Sequence, residues 1–217
     1  MSGYKYLFGP VPSRRLGASL GVSPIPERTC NYSCVYCQLG RTLRMTNTRQ
    51  EFFPLEEILA EFREYLRGSI PFDVVTVVGE GEPTLYSRLG ELIAGLKKET
   101  DKPVAVITNG ALLYDAEMRR ELMEADIVLP SLDAVTEEQY RKIDRPMGSI
   151  GFAEMAEGLR QFAREYQGQL WIEIMLVDGM NDSPEDIAAF KEFLGTIDYD
   201  RVYLNTPVRP PAEGFVH

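Results

Sequence analysis

The sequence predicts an α/β protein built around a parallel sheet. From about residue 70 onward, short β-branched apolar segments alternate with longer amphipathic segments, a pattern typical of repeated strand–helix units. Clusters of glycine, asparagine, aspartate and proline follow the apolar segments, where the loops at the carboxyl ends of parallel strands would lie. Because 217 residues with 44% hydrophobic content can form one buried core, we expect a single domain over residues 1–217.

Individual elements follow from the hydrophobic pattern. Six segments have the composition of strands, at residues 20–25, 72–79, 103–108, 126–132, 170–177 and 201–205. Five amphipathic segments predict helices at residues 55–67, 88–99, 114–124, 152–166 and 183–194. Pro54 precedes the acidic first turn of one helix, and Ser183 is the expected N-cap of the helix that Pro184 begins. Periodicity leaves two architectures open, an open doubly wound sheet and a partial barrel.

Composition excludes several classes of protein. No apolar stretch reaches the roughly 18–20 residues that span a bilayer, and the first residues do not resemble a signal peptide, so we expect a cytoplasmic protein with no membrane partner. The formal net charge of −10 disfavours extensive nucleic-acid binding. Residues 1–50 nevertheless carry seven arginines and lysines against Glu27 alone, so the basic charge collects around the cysteines. A local anion site there remains open.

The three cysteines lie within one eight-residue segment, CNYSCVYC, at residues 30–37. An odd number at this spacing is a poor disulfide framework and a plausible set of metal ligands in a reducing compartment. If the metal is an iron–sulfur cluster, one iron must take a ligand from outside the protein, because the chain has no further cysteine. Two alternatives remain: a zinc site completed by carboxylate or by His217, the single histidine, and a non-catalytic electron carrier.

The CX3CX2C loop, with Tyr36 before the last cysteine, resembles the signature of the radical S-adenosylmethionine (SAM) superfamily. The flanking GPVPSRRLGASLGV and CQLGRT are similar to iron–sulfur oxidoreductases related to wybutosine-type tRNA-modifying enzymes, and the resemblance covers residues 6–211. It implies a partial (β/α)6 barrel with parallel strands, and a [4Fe-4S] cluster held by Cys30, Cys34 and Cys37. SAM would chelate the unique iron. Its reductive cleavage would give a 5′-deoxyadenosyl radical that abstracts hydrogen, with electrons from a donor such as flavodoxin or ferredoxin.

The same resemblance implies a set of SAM-binding residues. Glu80-Gly81-Glu82-Pro83 resembles a Gly-Gly-Glu-Pro-like segment that receives the methionine amino group; Glu82 takes that role here, and Glu80 replaces the first glycine. The other implied contacts are Tyr36 at the adenine edge, Asn109, Ser131 and Asp133 near the ribose or the methionine carboxylate, and Met175 and Asn205 on the adenine side. For each of these residues an ordinary structural role in a turn or in the barrel core remains the alternative.

The substrate is not identified by the sequence. Three cysteines leave no thiol for a second cluster, and no lysine lies at a predicted strand end, which disfavours methylthiolation and Schiff-base chemistry. The basic segment predicts an anionic substrate at the barrel mouth, with charge balance as the alternative role of its arginines, Arg14, Arg15, Arg41, Arg44 and Arg49. A glycyl-radical-type activating enzyme that acts on a protein is an alternative function. Sequences of the resembling group continue into further helices after NTPVRPP, so a C-terminal element that covers the substrate is a candidate missing part.

Overall fold

The computed structural model describes residues 3–68 and 70–216. Their strands are β1 (Leu7–Ser13), β2 (Gly17–Val22), β3 (Thr29–Cys30), β4 (Arg44–Met45), β5 (Val74–Val77), β6 (Val104–Thr108), β7 (Ile127–Pro130), β8 (Gln169–Met175) and β9 (Arg201–Asn205). Their α-helices are α1 (Leu55–Arg67), α2 (Leu89–Glu99), α3 (Ala116–Leu122), α4 (Glu137–Ile143), α5 (Phe152–Glu165) and α6 (Pro184–Leu194). A short 3-10 helix, Pro83–Leu85, follows β5. The described helices include none that is both long enough and apolar enough to cross a membrane.

Seven strands form one sheet in the order β1-β2-β5-β6-β7-β8-β9. The six strands from β2 to β9 are parallel, whereas β1 pairs antiparallel with β2 at the edge. All six predicted strands are present, although β2 begins three residues before its predicted start. Strand β1 was not predicted, because Gly9, Pro10 and Pro12 interrupt a strand pattern. An edge strand tolerates proline, since only one of its sides takes part in the ladder.

The five predicted helices are all present, and the structure adds α4. Ser183 forms the expected N-cap of α6 as part of a capping box with Asp186, and Pro184 is the first helical residue. Helix α4 has seven residues and carries too few apolar positions for its periodicity to be recognised. Its end nevertheless matters for the site, because Ile143 and Asp144 hydrogen-bond to the backbone of the cysteine loop.

The sheet curls into a partial barrel. Leu16, which precedes β2, belongs to one packed cluster with Trp171 of β8, and Arg15 forms an ion pair with Glu173 of the same strand. Three strands separate β2 from β8, so a flat sheet would hold them about 19 Å apart at the usual strand spacing. These contacts therefore decide between the two architectures that periodicity left open.

The curled sheet has two different faces. Its convex face carries Leu20, Val75 and Ile172 into the main core, which the helices cover. Its concave face, which we call the lumen, carries residues one position out of phase, including Ala105 and Trp171. Because all six parallel strands end at the same rim, the loops that follow them converge there, as expected for a site built on strand ends.

Candidate functional site

The cysteine loop is fixed at the rim by backbone hydrogen bonds from both sides. Val35 donates its N–H to the carbonyl of Ile143 at 2.9 Å, and Thr29 forms a parallel bridge with Gly81 after β5. A Cβ atom at Gly81 would collide with the carbonyl oxygen of Thr29, so this position requires glycine. Gly81, which the resemblance placed in the SAM-binding segment, thus lies against the strand that carries Cys30.

The three thiols lie within electrostatic reach of one another. Burial, together with the charges of Glu82 and Cys37, raises the pKa of Cys30 to about 12. Burial and the charges of Asp144, Cys30 and Cys37 raise the pKa of Cys34 well above its usual value. Because their pKa values are raised, the thiols keep their protons, and a metal must displace these protons when it binds. An iron cation supplies the positive charge that stabilises the resulting thiolates.

The arrangement of the thiols also bears on the kind of metal centre. Among the described residues, no three histidine, cysteine or acidic side chains are placed to hold one metal ion together. A cubane cluster takes its three thiolates on three separate irons, so its ligands need not converge on one point as those of zinc must. His217, the other candidate zinc ligand, lies outside the described residues. The three thiols of the loop match the number of protein ligands that a cluster with one unique iron would need.

Glu82 lies next to this loop and is buried, with 3% of its surface exposed. Its carboxylate accepts hydrogen bonds from the hydroxyls of Thr84 at 2.7 Å and Thr108 at 2.6 Å, and from the backbone N–H of Asn109 at 2.8 Å. Burial raises the pKa of Glu82, and the hydrogen bonds oppose that rise. All of these donors are neutral, so the charge of the ionised carboxylate has no cationic partner among them.

Asn109 connects Glu82 to the cysteine loop. Its side-chain amide donates to Asn31 at 2.7 Å and contacts the sulfur atom of Cys30 at 3.6 Å. Glu82, Asn109 and Cys30 thus form one continuous polar path between the ends of two strands and the cysteine loop. The sequence singled out these three residues, but Asn31 was missed, because an asparagine between two cysteines gives no separate signal.

A second buried acid, Asp133, lies on the other side of the loop. It accepts hydrogen bonds from the hydroxyl of Tyr36 and from the backbone N–H of Met175, the latter at 2.6 Å. Burial raises the pKa of Asp133, and burial together with the charge of Asp133 raises that of Asp144. Tyr36 thus uses its hydroxyl to join the loop to β7 and β8, a contact the sequence did not predict.

Asn181 is a site residue that the sequence analysis did not assign. It is fully buried, and its amide donates to the carbonyls of Asp133 at 2.8 Å and Met175 at 2.9 Å. Its oxygen accepts from the N–H of Val177 at 2.7 Å. The only available signal was its place in the polar DGMND segment after a strand. Its role is to fix the backbone of two strand ends.

The remaining predicted residues lie around the lumen. Ser131 forms a parallel bridge with Glu173, and Asn205 donates to the carboxylate of Glu173 at 2.8 Å. Ser131 and Asp133, two residues apart, share the strand-end position expected for them. Asn205 therefore contacts β8 through Glu173, a residue to which the sequence analysis gave no role.

The five arginines of the basic segment are separated by the fold. Arg41 pairs with Glu213 through two hydrogen bonds, of 2.9 and 2.8 Å, and Arg49 pairs with Glu121 while also donating to two backbone carbonyls. Arg44 lies over the ring of Phe52 at 5.3 Å. Arg14 is exposed on the turn before β2. Arg15, from the same turn, reaches Glu173 in the lumen.

Comparison with known proteins agrees with this geometry. Residues 25–191 match the sequence model of the radical SAM superfamily. This chain belongs to the radical SAM superfamily. It also belongs to the UPF0026 family: it is 38% identical over 211 residues to a UPF0026 protein of Methanocaldococcus jannaschii, covering 96% of this chain and 65% of that protein. A UPF0026 protein of Synechocystis is 38% identical over 205 residues, covering 94% of this chain and 76% of that protein.

A longer relative contains a similar segment. A protein of Brachyspira hyodysenteriae named GTPase Obg is 43% identical over 205 residues, which are 94% of this chain and 30% of that protein. The chain thus spans less than a third of that relative and about two thirds of the Methanocaldococcus protein.

Solved structures show the same fold at low identity. The structure of TYW1 with a lysine–pyruvate adduct bound has a TM-score of 0.65 at 22% identity, covering 87% of this chain and 64% of that chain. Native anSMEcpe with bound AdoMet has a TM-score of 0.66 at 17% identity, covering 88% and 52%. The radical SAM partial barrel that the resemblance implied is therefore confirmed.

Proposed function

We propose that this chain is a [4Fe-4S]-dependent radical SAM enzyme that cleaves SAM reductively and acts on a small substrate in the lumen. Cys30, Cys34 and Cys37 would hold the cluster. When bound, the cluster and SAM supply a one-electron cleavage that yields 5′-deoxyadenosine and removes a hydrogen atom from the substrate. The observation that carries the proposal is the buried, cation-free carboxylate of Glu82, joined through Asn109 to Cys30.

The chain's own residues provide binding and orientation. Glu82 presents a negative charge beside the cysteine loop, and its hydrogen-bond donors already hold the carboxylate in place. This fixed carboxylate binds an ammonium group better than water does, because it does not have to reorient. Asn109 lies between Glu82 and Cys30, so it fixes the position of the amino-group site relative to the cluster site. Asp133 and Ser131 offer oxygen atoms at the next strand end for ribose hydroxyls or for the methionine carboxylate.

The segment that follows β9 packs against the cysteine loop. Residues 211–216, which we call the strap, return to the cysteine loop, where Glu213 donates its N–H to the carbonyl of Val35 at 3.1 Å. Val216 packs with Val35, Ile143 and Val177. The strap therefore packs against the cysteine loop at Val35 and keeps water from that residue. The electrons would come from a reductant such as flavodoxin or ferredoxin.

Anaerobic reconstitution tests the proposal. The protein is loaded with iron and sulfide, its metal and sulfide contents are measured, and SAM is added with dithionite. We expect about four irons per chain from a [4Fe-4S] centre and 5′-deoxyadenosine that forms only with both SAM and reductant. Stoichiometric zinc in place of iron, or a redox-active cluster that leaves SAM intact, would contradict the proposal.

A further inference from the structure

The lumen holds an ion pair that the proposed SAM site does not use. Arg15 enters from the turn between β1 and β2, and Glu173 faces it from the opposite side, on β8. Glu173 alternates with Ile172 and Ile174, which face the helices, so its side chain projects into the lumen. The exposed side-chain fractions are 24% for Arg15 and 11% for Glu173, so the pair is largely removed from water.

The pair leaves hydrogen-bonding capacity unused. The nearest atoms of the pair are Nη1 of Arg15 and Oε1 of Glu173, and the amide of Asn205 donates to the same carboxylate oxygen. Among hydrogen bonds of the described residues, none reaches the second oxygen, Oε2. Trp171 lies two residues away on the same face of β8, and its indole N–H is buried without a partner in the described part of the chain. A buried donor and a free carboxylate oxygen on one strand face indicate a ligand site.

Charge balance restricts the ligand. Arg15 and Glu173 together have no net charge, and burial already lowers the pKa of Arg15, so its surroundings do not favour extra charge. A simple anion would add a buried negative charge that nothing in the pair compensates. A zwitterion adds none: its carboxylate matches the guanidinium of Arg15, and its ammonium matches the free oxygen of Glu173.

We propose that Arg15 and Glu173 form the substrate-binding floor of the lumen and that the substrate is a free α-amino acid, held by its carboxylate on Arg15 and its ammonium on Glu173. This inference rests on the proposed function for the reaction that follows binding, but the binding itself does not depend on SAM cleavage. Asn205 is a positioning residue, because it holds the carboxylate of Glu173 toward Arg15. The fold thus assigns substrate binding to one of the five arginines and gives Arg41 and Arg49 partners elsewhere.

Trp171 provides a direct readout, since it is the only tryptophan of the chain and lies two residues from Glu173 on the same face of β8. The reconstituted holoenzyme with saturating SAM and no reductant is titrated with each standard α-amino acid, with the matching α-keto acid and with the matching decarboxylated amine. We expect at least one amino acid to change Trp171 fluorescence saturably, with a Kd below about 1 mM, and its keto acid and amine to bind at least about tenfold more weakly.

Two substitutions separate recognition from folding. Arg15→Gln should weaken amino-acid binding by about 10- to 100-fold, whereas Arg14→Gln, on the same turn but exposed, should leave it unchanged. Glu173→Gln keeps an oxygen for Asn205 but removes the charge. It should weaken amino-acid binding and tighten binding of the matching keto acid, because Arg15 loses its internal partner. A merely damaged lumen would weaken both ligands together, and that result would overturn the inference.

Other outcomes also decide the question. If no α-amino acid perturbs Trp171, or if the keto acid binds the unaltered protein as tightly as the amino acid, the inference is wrong. Formation of 5′-deoxyadenosine after dithionite is added to the same preparation reports on the proposed function separately. Cleavage without amino-acid binding would refute the inference alone, and amino-acid binding without cleavage would refute the proposed function alone.

Discussion

Two of the buried carboxylates near the cysteine loop, Glu82 at the strand-end rim and Glu213 in the strap, have opposite environments. Glu82 is 3% exposed and meets neutral hydroxyl and N–H donors, and burial raises its pKa. Glu213 is 7% exposed and meets the guanidinium groups of Arg41 and Arg145. Hydrogen bonds from these two arginines lower the pKa of Glu213 to about 2.

This difference in charge compensation distinguishes the structural role of Glu213 from the binding role that we propose for Glu82. The charge of Glu213 is compensated by two arginines inside the chain, and these ion pairs fix the strap to the loop. The charge of Glu82 is oriented but not compensated, so a cationic ligand gains the full attraction without first breaking an ion pair. Within the proposed function, that ligand is the amino group of SAM.

The largest effect is expected from the cysteines, because both carboxylates adjoin the loop that carries them. Replacing Cys30, Cys34 or Cys37 by Ala should abolish cluster retention and 5′-deoxyadenosine formation, since two thiolates cannot present one unique iron. Iron and sulfide analysis and product chromatography measure the two effects. Ser33→Ala, in the same loop, should retain both, and full SAM cleavage by any of the cysteine variants would refute the cluster assignment.

The rim carboxylate should control SAM affinity. Glu82→Gln is expected to weaken SAM binding by about 1.5–3 kcal/mol, or roughly 10- to 150-fold in Kd, because it removes a charge-assisted contact. Equilibrium dialysis on the reconstituted protein measures Kd, and iron content should stay unchanged. The matched control is Glu80→Gln, an exposed neighbour that should leave Kd unchanged.

A SAM analogue without the amino group sharpens this test. It should bind the Glu82→Gln variant and the unaltered protein with similar affinity, because the contact at issue is absent from both complexes. A tenfold difference that persists with the analogue would show that Glu82 acts through the structure of the rim rather than through the amino group.

The two acids should also respond to pH with opposite sign. Glu213 has a lowered folded-state pKa, so its contribution to stability is present above its usual value of 4.5 and is lost as the pH falls toward about 2. Glu82 has a raised pKa, so its ionisation on raising the pH above 4.5 opposes folding. Urea unfolding of the cluster-free chain should show the cost of Glu213→Gln shrinking as the pH falls from about 5 to about 2. The cost of Glu82→Gln should instead shrink as the pH rises above about 4.5, where ionisation of the buried carboxylate opposes folding, and a pH dependence like that of Glu213→Gln would remove the distinction between the two acids.

The smallest effect is expected from the strap. Arg145→Gln should speed hydrogen exchange at Val216 and at Glu213, because Glu213 then keeps only the ion pair with the exposed Arg41. Uncoupled SAM cleavage should change less than about twofold, since surface ion pairs contribute little. Arg141→Gln, a helix-surface control paired with Glu137, should leave exchange in the strap unaltered.

The sequence by itself determined the secondary structure of the parallel sheet and singled out the loop that we propose to bind the cluster. Both are local: the alternation of strands and helices is present in the apolar pattern, and the spacing of Cys30, Cys34 and Cys37 is a property of eight consecutive residues. The acid of the rim, Glu82, followed from a family resemblance rather than from its chemistry. Strand β1 and helix α4 were missed, because prolines and a short length hide their periodicity.

Only the tertiary structure decided which charged residues act together. Arg15 and Arg41 give the same signal in a basic segment, yet one pairs with Glu173 in the lumen and the other with Glu213 in the strap. Their partners lie more than 150 positions away along the chain, and the curl of the sheet and the return of the strap bring them together. The position of a charged residue in the sequence does not encode its partner, so the ion pairs are fixed only when the barrel closes. The same step decides which charged residues are structural and which can bind a ligand.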